Sequence, residues 1–325
     1  MRPDPALVAR FKVDLQKLTG GRPERLGLAV SGGPDSLALL LLAVAAYPDR
    51  VRAATVDHGL RPESAAEARF VADICARLSV PHEVLTPAWD APPTGNVAAR
   101  AREARYEALS YWSARNCCAW LATAHHLDDQ AETLLMRLAR GAGIGGLAGI
   151  RSVNTWLGER TDNVVRPLLG WRKSELVAVV DAAALVPVDD PTNQSDALDR
   201  THARRLLATA DWLDPARIAG SAANLADAEE ALAWTMERVW QARGGDPREG
   251  SVTIDPRDLP RELQRRLLLR ALSDFTDETA IPGPKLMTLL DTLLAGRSAT
   301  LAGVKVEAGD KWRLLLAPPR RDATR

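Results

Sequence analysis

At 325 residues, with 46% hydrophobic and 26% charged side chains, the chain has the composition of an ordinary globular protein and is long enough for two cores, which excludes a disordered or fibrous class. Forty-two basic residues balance forty-two acidic ones, so any contact with nucleic acid must come from local clustering and not from bulk attraction. The three cysteines, Cys75, Cys117 and Cys118, form no CxxC spacing, which excludes a zinc or redox pair of that type and suits small buried side chains in a reducing compartment.

The N-terminal stretch MRPDPALVARFKVDLQKL carries charges throughout and lacks the apolar core of a signal peptide. The apolar run Leu37 to Tyr47 stops after eleven residues, short of the roughly 18 to 20 that span a bilayer. A cytoplasmic location with no membrane partner is expected. Strand patterns at Leu26 to Val30, Val51 to Asp57, His82 to Leu85 and Ala119 to Ala124 alternate with helical periodicity at Leu37 to Tyr47, Glu63 to Leu78 and Val97 to Ala114. Such alternation predicts an α/β fold with a doubly wound parallel sheet, whose ligands bind beyond the carboxyl ends of the strands. A Pro and a helix restart at Leu213 to Arg217 set the expected boundary between residues 1–215 and a smaller, mainly helical domain at 216–325. That second part carries helical patterns at Ile218 to Ala242 and Pro260 to Leu272. Between them, a Gly244-Gly245-Asp246-Pro247 break precedes a short extended piece at Ser251 to Ile254. The domain ends in a predicted hairpin, Ala299 to Ala317, around Gly309-Asp310.

Four stretches carry polar groups suited to chemistry. The first strand hands over to a helix through Ser31-Gly32-Gly33-Pro34-Asp35-Ser36, where small residues, two hydroxyls and the helix N-terminus make a cradle for phosphate. It is neither a Walker A loop nor GxGxxG, and a plain capped turn reads the same residues. "TVDHGLRPES" ends the second strand with Asp57 and His58, a carboxylate that either caps the next helix or faces a ligand. "GNVAARAREARYEAL" puts Arg102 and Arg105 on neighbouring helical positions. "LATAHHLDDQAET" places Asp128, Asp129 and Glu132 within one helical turn, a helix-start capping pattern that could also hold a divalent cation beside phosphates. The glycine-rich "RGAGIGGLAGI" follows, then Arg166 in "VRPLLGWRKSEL", then Arg200, Arg204 and Arg205 in "DDPTNQSDALDRTHARRLL". Arg261, Arg265, Arg266 and Arg270 read as either a basic patch or a solvated helix face.

Over about residues 25 to 210 these motifs, in this order, resemble the ATP-pyrophosphatase (PP-loop) family, and within it the tRNA(Ile)-lysidine synthetases. The matches are the S-G-G-P-D-S loop, V-D-H-G-L-R, the N-x-E-x-x-A-R-x-x-R-Y pattern at Asn96 to Tyr106, H-H-x-D-D-Q-x-E-T, R-P-L-L and D-x-[ST]-N. Ala98 stands where the family has Glu, and Thr201 where Asn is usual, so no role passes to either. The resemblance implies ATP and Mg²⁺ as cofactors, and a tRNA(Ile) with a CAU anticodon and free L-lysine as partners; a homodimer is compatible with it. It implies ATP binding by Ser31, Gly32, Gly33, Pro34, Asp35, Ser36, Asp57 and His58, and catalysis by Asp35, Asp128, Asp129 and Glu132, with Asp35 and Asp129 on Mg²⁺. It also implies anionic contacts with nucleotide or RNA at Arg102, Arg105, Arg166, Arg200, Arg204 and Arg205. A tRNA thiolase with the same loop, or a noncatalytic tRNA-binding module, are the alternatives; the cysteine spacing speaks against the first.

Overall fold

The computed structural model describes residues 2–59, 63–87, 97–157, 161–188, 198–245, 250–276 and 281–317. Two compact units divide the chain, Met1–Ala226 and Asp227–Arg325. The first contains α1 (Pro5–Thr19), β1 (Leu26–Ala29), α2 (Pro34–Ala46), β2 (Val51–Val56), α3 (Ser64–Arg77), β3 (His82–Leu85), α4 (Val97–Arg115) and β4 (Trp120–Ala122). It continues with α5 (Leu127–Ala139), α6 (Ile144–Leu147), β5 (Val153–Leu157), β6 (Thr161–Val165), α7 (Lys173–Ala182), α8 (Leu198–Thr209) and the start of α9 (Pro215–Arg243). The sheet order is β3-β2-β1-β4-β6-β5, parallel except for the β5–β6 hairpin at one edge.

Helix α2 is apolar all round because it is enclosed all round: Leu37 to Ala43 are all buried, against α1, α7 and the sheet. That cluster also takes in Phe11 and Leu15 of α1, Val71, Ile74 and Cys75 of α3, and Leu176, Val179 and Val180 of α7. On the opposite face Tyr106, Leu109 and Trp112 of α4 pack against Ala54, Leu121 and Val164. Helices thus cover both faces, as doubly wound sheets require. Each of the four expected parallel strands forms within a residue or two of its predicted range. The β5–β6 hairpin lacks a strand signal in the sequence, because Asn154, Thr155, Asp162 and Asn163 break the apolar run that marks a buried strand.

The second unit holds the rest of α9 and β7 (Ser251–Ile254), α10 (Arg261–Ser273), α11 (Gly283–Leu294), β8 (Ala299–Leu301), β9 (Val304–Glu307) and β10 (Trp312–Leu316). The expected single hairpin at 299–317 is a three-stranded meander. Ala302 and Gly303, both at positive φ (50 and 79), turn β8 back onto β9 before the Gly309-Asp310 turn is reached. Strand β7, the short extended piece, completes a four-stranded sheet beside β10. One face of this sheet buries Val252, Ile254, Val304, Val306, Trp312 and Leu314 against Leu267, Leu268 and Leu272 of α10 and Leu286, Leu289, Leu290 and Leu293 of α11.

All four arginines of α10 find carboxylates. Arg261 pairs with Asp291, Arg265 with Glu262 (2.7 Å) and Arg270 with Glu237 (3.6 Å), while Arg266 bonds both Glu262 and Glu229. They are a neutralised helix face and not a free basic patch. The Arg265 hydrogen bond, joined by Arg266 and opposed by partial burial, holds the Glu262 carboxyl down at about 2 from its usual 4.5. Stability from this group is therefore complete above pH 4.5 and is lost as pH falls through about 2. Glu262→Gln should lower the denaturant midpoint of this unit at pH 7, with the gap to the parent protein closing between pH 4.5 and 2; a gap that persists at pH 2 would contradict the assignment.

Candidate active site

The chain leaves β1 for β2 and β3 on one side, and returns to β4 and β6 on the other. Loops leaving β1 and β4 therefore diverge and open a crevice between the carboxyl ends of the two strands, the position where open α/β sheets bind ligands. Residues 31 to 36 form one wall. Gly33 is the N-cap of α2 and Pro34 its first residue, so the free N–H groups of the first turn face the crevice. The loop is braced by Ser36, whose Oγ donates to the Gly33 carbonyl (2.9 Å) and accepts from the Ser31 amide (3.2 Å). Gly32 has φ +88, its carbonyl accepts from Val188 N (3.0 Å), and an added Cβ would stand 3.2 Å from Val71 and 3.3 Å from Val188. Gly32→Ala should cost about 1–2 kcal/mol in unfolding free energy from backbone strain and crowding, and should raise the KM for ATP. Denaturant unfolding and ATP titration read the two effects; an unchanged midpoint would remove the strain.

The β4 loop supplies the opposite wall and its central group is His126, 3% exposed. Its Nε2 lies 3.5 Å from Asp35 Oδ2 and 3.6 Å from Asp129 Oδ2, and its Nδ1 lies 3.6 Å from Asp128 Oδ2. Burial works to lower its pKa, but Asp128, Asp35 and Asp129 together outweigh it and push the ring up to about 10. His126 is an imidazolium held by three carboxylates. Two of those carboxylates also brace backbone. Asp129 Oδ2 accepts from the His126 amide (3.1 Å), which is the helix-start role the sequence offered. Asp128 Oδ2 accepts from Lys173 N (2.8 Å), so it caps α7 as well as facing His126. Burial raises the Asp128 carboxyl, yet His126 and the Lys173 amide leave it below the usual carboxylate range.

Glu132 stands apart from this trio. Buried at 4% exposure on α5, it takes Arg204 Nε at 2.7 Å and Arg200 Nε at 3.8 Å, an arrangement that fastens α8 to α5. The Glu132 hydrogen bond holds the Arg204 pKa above its ordinary value. Arg205 is exposed, one position further round α8. Arg102, exposed on α4, stacks over Tyr106 at 5.0 Å. Burial lowers His125 to about 4; Asp129 opposes this, while the charges of Arg166, Arg102 and Arg200 reinforce it. Three of the predicted arginines thus bear on one neutral, half-buried histidine. Asp57 Oδ1 accepts from Gly59 N (2.9 Å) and Ser64 Oγ (2.6 Å), bracing the entry to α3, and His58 Nε2 accepts from Arg105 Nε (3.4 Å). Burial, then Arg105, brings His58 down to about 4 against the pull of Asp57. Arg61, Asn96 and the Asp190 to Asn193 motif lie outside the described residues. Sequence reading gave no role to His125, His126 or Gln130; the paired histidines at a strand end were the signal.

Asp35 Oδ1 and Arg166 Nε are buried without a hydrogen-bond partner, which leaves them to be met by a polar ligand, whereas the likewise unbonded Glu132 Oε2 and Arg200 Nε face each other as an ion pair at 3.8 Å. A family profile described as a PP-loop domain matches residues 7–210. The tRNA(Ile)-lysidine synthase of Zymomonas mobilis subsp. mobilis is 46% identical over 303 residues, covering 92% of this chain and 90% of that one. That of Novosphingobium aromaticivorans is 46% identical over 318 residues, covering 98% and 96%. Among solved structures, the U34-tRNA thiolase of Methanococcus maripaludis shares the fold at a TM-score of 0.53 and 18% identity, over 70% of this chain and 80% of that one. A crevice built at the switch point of a doubly wound sheet, a phosphate-shaped turn on one wall and near-full-length identity of this order lead to one assignment: the chain belongs to the tRNA(Ile)-lysidine synthase family of PP-loop enzymes.

Proposed function

We propose that this chain joins free L-lysine to carbon 2 of the wobble cytidine in the CAU anticodon of tRNA(Ile), using ATP. The observation that carries the reading is the meeting of the Ser31–Ser36 turn with the Asp35, Asp128, Asp129 and His126 cluster, in a chain 46% identical to named lysidine synthases. In the first step the cytidine O2 attacks the α-phosphorus, the bond to the departing pyrophosphate breaks, and the ring carries an adenylated oxygen. In the second, the lysine ammonium gives up a proton to a carboxylate of the cluster, the freed ε-amine attacks carbon 2, the carbon–oxygen bond breaks and AMP leaves. The first-turn N–H groups of α2 with the Ser31 and Ser36 hydroxyls receive the pyrophosphate charge. Three carboxylates and one imidazolium leave a formal charge of minus two beside them, which attracts the lysine ammonium.

Among the described residues no three acid, histidine or cysteine side chains form a complete metal cage. Mg²⁺ needs none, since it takes one or two carboxylates plus phosphate oxygens and water. The unpartnered Asp35 Oδ1 and the neighbouring Asp129 fit that demand, and the ion would supply charge neutralisation at the phosphates. Cys75 and Cys118 are buried and Cys117, against the expectation from sequence, is exposed; sulfur transfer by the buried two is disfavoured, because burial pushes the Cys75 thiol up to about 12 and the Cys118 thiol up to about 11, away from the reactive thiolate. Residues 1–215 act as the catalytic domain and 216–325 as a tRNA-contacting one. Among the described residues no helix is long and apolar enough to cross a membrane. The test is release of pyrophosphate from ATP, with Mg²⁺, on a CAU tRNA(Ile) transcript without lysine. tRNA-dependent release supports an adenylated intermediate, and release that ignores the tRNA would overturn it.

A further inference from the structure

We propose that Gln130 is a positioning residue, which ties the glycine-rich loop to α5 so that the Arg151 carbonyl aims Arg166 at a substrate phosphate, of the nucleotide or of the RNA backbone. The proposal rests on the function proposed above and deepens it. Gln130 is 8% exposed, and its amide makes two bonds to a single residue: Nε2 donates to the Ile150 carbonyl (2.8 Å) and Oε1 accepts from the Ile150 amide (2.6 Å). Paired bonds of this kind fix orientation as well as distance, as a strand partner does. Gly149, at φ +68, allows the approach; a Cβ there would overlap Gln130 Oε1. Further along α5, Arg137 holds the same loop by donating to the carbonyls of Gly146 (2.6 Å) and Gly149 (3.0 Å).

The next residue carries the effect across. Arg151 O accepts from Arg166 Nη1 (2.7 Å), and the Arg166 amide donates to Ser152 O (2.9 Å). Arg166 is 6% exposed, its Nε is buried without a partner, and among the described residues no carboxylate pairs with it. A buried guanidinium in that state calls for an anion. Arg166 follows β6, two strands from β1 in the order β1-β4-β6, so at about 4.8 Å per strand it stands about 10 Å from the phosphate turn. At that spacing the anion it meets is a phosphate either of the bound nucleotide or of the RNA backbone, and substrate kinetics tell the two apart.

The test is a double-mutant cycle on the full chain, with Gln130→Ala, Arg166→Ala and the pair, read as lysine incorporation into CAU tRNA(Ile) transcript. Each single variant should raise about tenfold the KM of whichever substrate brings that phosphate, ATP or tRNA, the factor expected from one lost charge-assisted hydrogen bond, with the other KM unchanged. The pair should be no worse than Arg166→Ala alone, whereas any loss of thermal stability from Gln130→Ala should persist in both backgrounds. Multiplying KM effects, or ATP and tRNA values rising together, would overturn the relay. Unchanged KM values for both ATP and tRNA in Arg166→Ala would overturn both the relay and the phosphate contact, while incorporation by the parent protein would still judge the activity separately. If Gln130→Ala fails to fold, Gly149→Ala takes its place with the same expected outcomes, since it displaces Gln130 while leaving it present.

Discussion

Asp35→Asn should lower tRNA-dependent pyrophosphate release by about 10²–10³-fold, the scale of losing one preorganised electrostatic contact to a reacting phosphate. The carboxylate sits in the first turn of α2, has one oxygen buried and unpartnered, and turns the other toward His126 at 3.5 Å. Asparagine keeps its shape and removes its charge. The fold should tolerate this: the side chain is 28% exposed, and a carboxylate at a helix N-terminus contributes only about 0.3–1 kcal/mol. Activity within tenfold of the parent, with an unchanged unfolding midpoint, would remove Asp35 from the phosphate chemistry. A large fall in the midpoint would instead make it a structural partner of His126.

His126→Ala should be the most destabilising single change at the site, by about 3 kcal/mol, and should abolish lysine incorporation. The ring is the one cation within 3.6 Å of Asp35, Asp128 and Asp129 among the described residues, and the side chain is almost wholly buried. Removing it leaves three carboxylates facing one another across a cavity, and breaking a buried ion pair from one side costs about 3–5 kcal/mol. The lower end applies because the aspartate side chains keep 15% to 29% of their exposure. Charge repulsion makes a second prediction that a cavity alone does not. Asp128→Asn, destabilising in the parent through its bonds to Lys173 and His126, should recover part of the loss in the His126→Ala background. Equal Asp128→Asn penalties in both backgrounds, read by denaturant unfolding, would show that the cavity and not the charge is responsible.

Much of the catalytic fold is legible in local pattern. Short apolar strands, the small residues at 31 to 36 and the fully apolar α2 each follow from a rule that looks only a few residues ahead. The phosphate turn and the acid cluster are readable for the same reason, since both fall at strand ends. What local pattern does not carry is pairing across distance. Glu132 reads as one more acid of a helix start until Arg204, 72 residues away, is seen to claim it. Arg266 reads as part of a basic patch until Glu229 meets it from α9, at 2.6 Å. His126 has nothing in its neighbours' spacing to say that Asp35, in the first turn of α2, joins Asp128 in raising its pKa. The meander at 299–317 is a different case: Ala302 sits at positive φ, which alanine does not advertise, and the Gly309-Asp310 signal next to it is the stronger one.

The central claim is that the crevice adenylates a wobble cytidine and hands it to lysine. The most direct measurement is incorporation of labelled lysine into purified CAU tRNA(Ile) transcript with ATP and Mg²⁺, beside the methionine tRNA that shares the anticodon. Label in the isoleucine tRNA alone, only with ATP and with AMP and pyrophosphate formed in equal amounts, is the predicted result. ATP cleaved on the tRNA with no lysine attached would contradict it and assign the crevice another nucleophile.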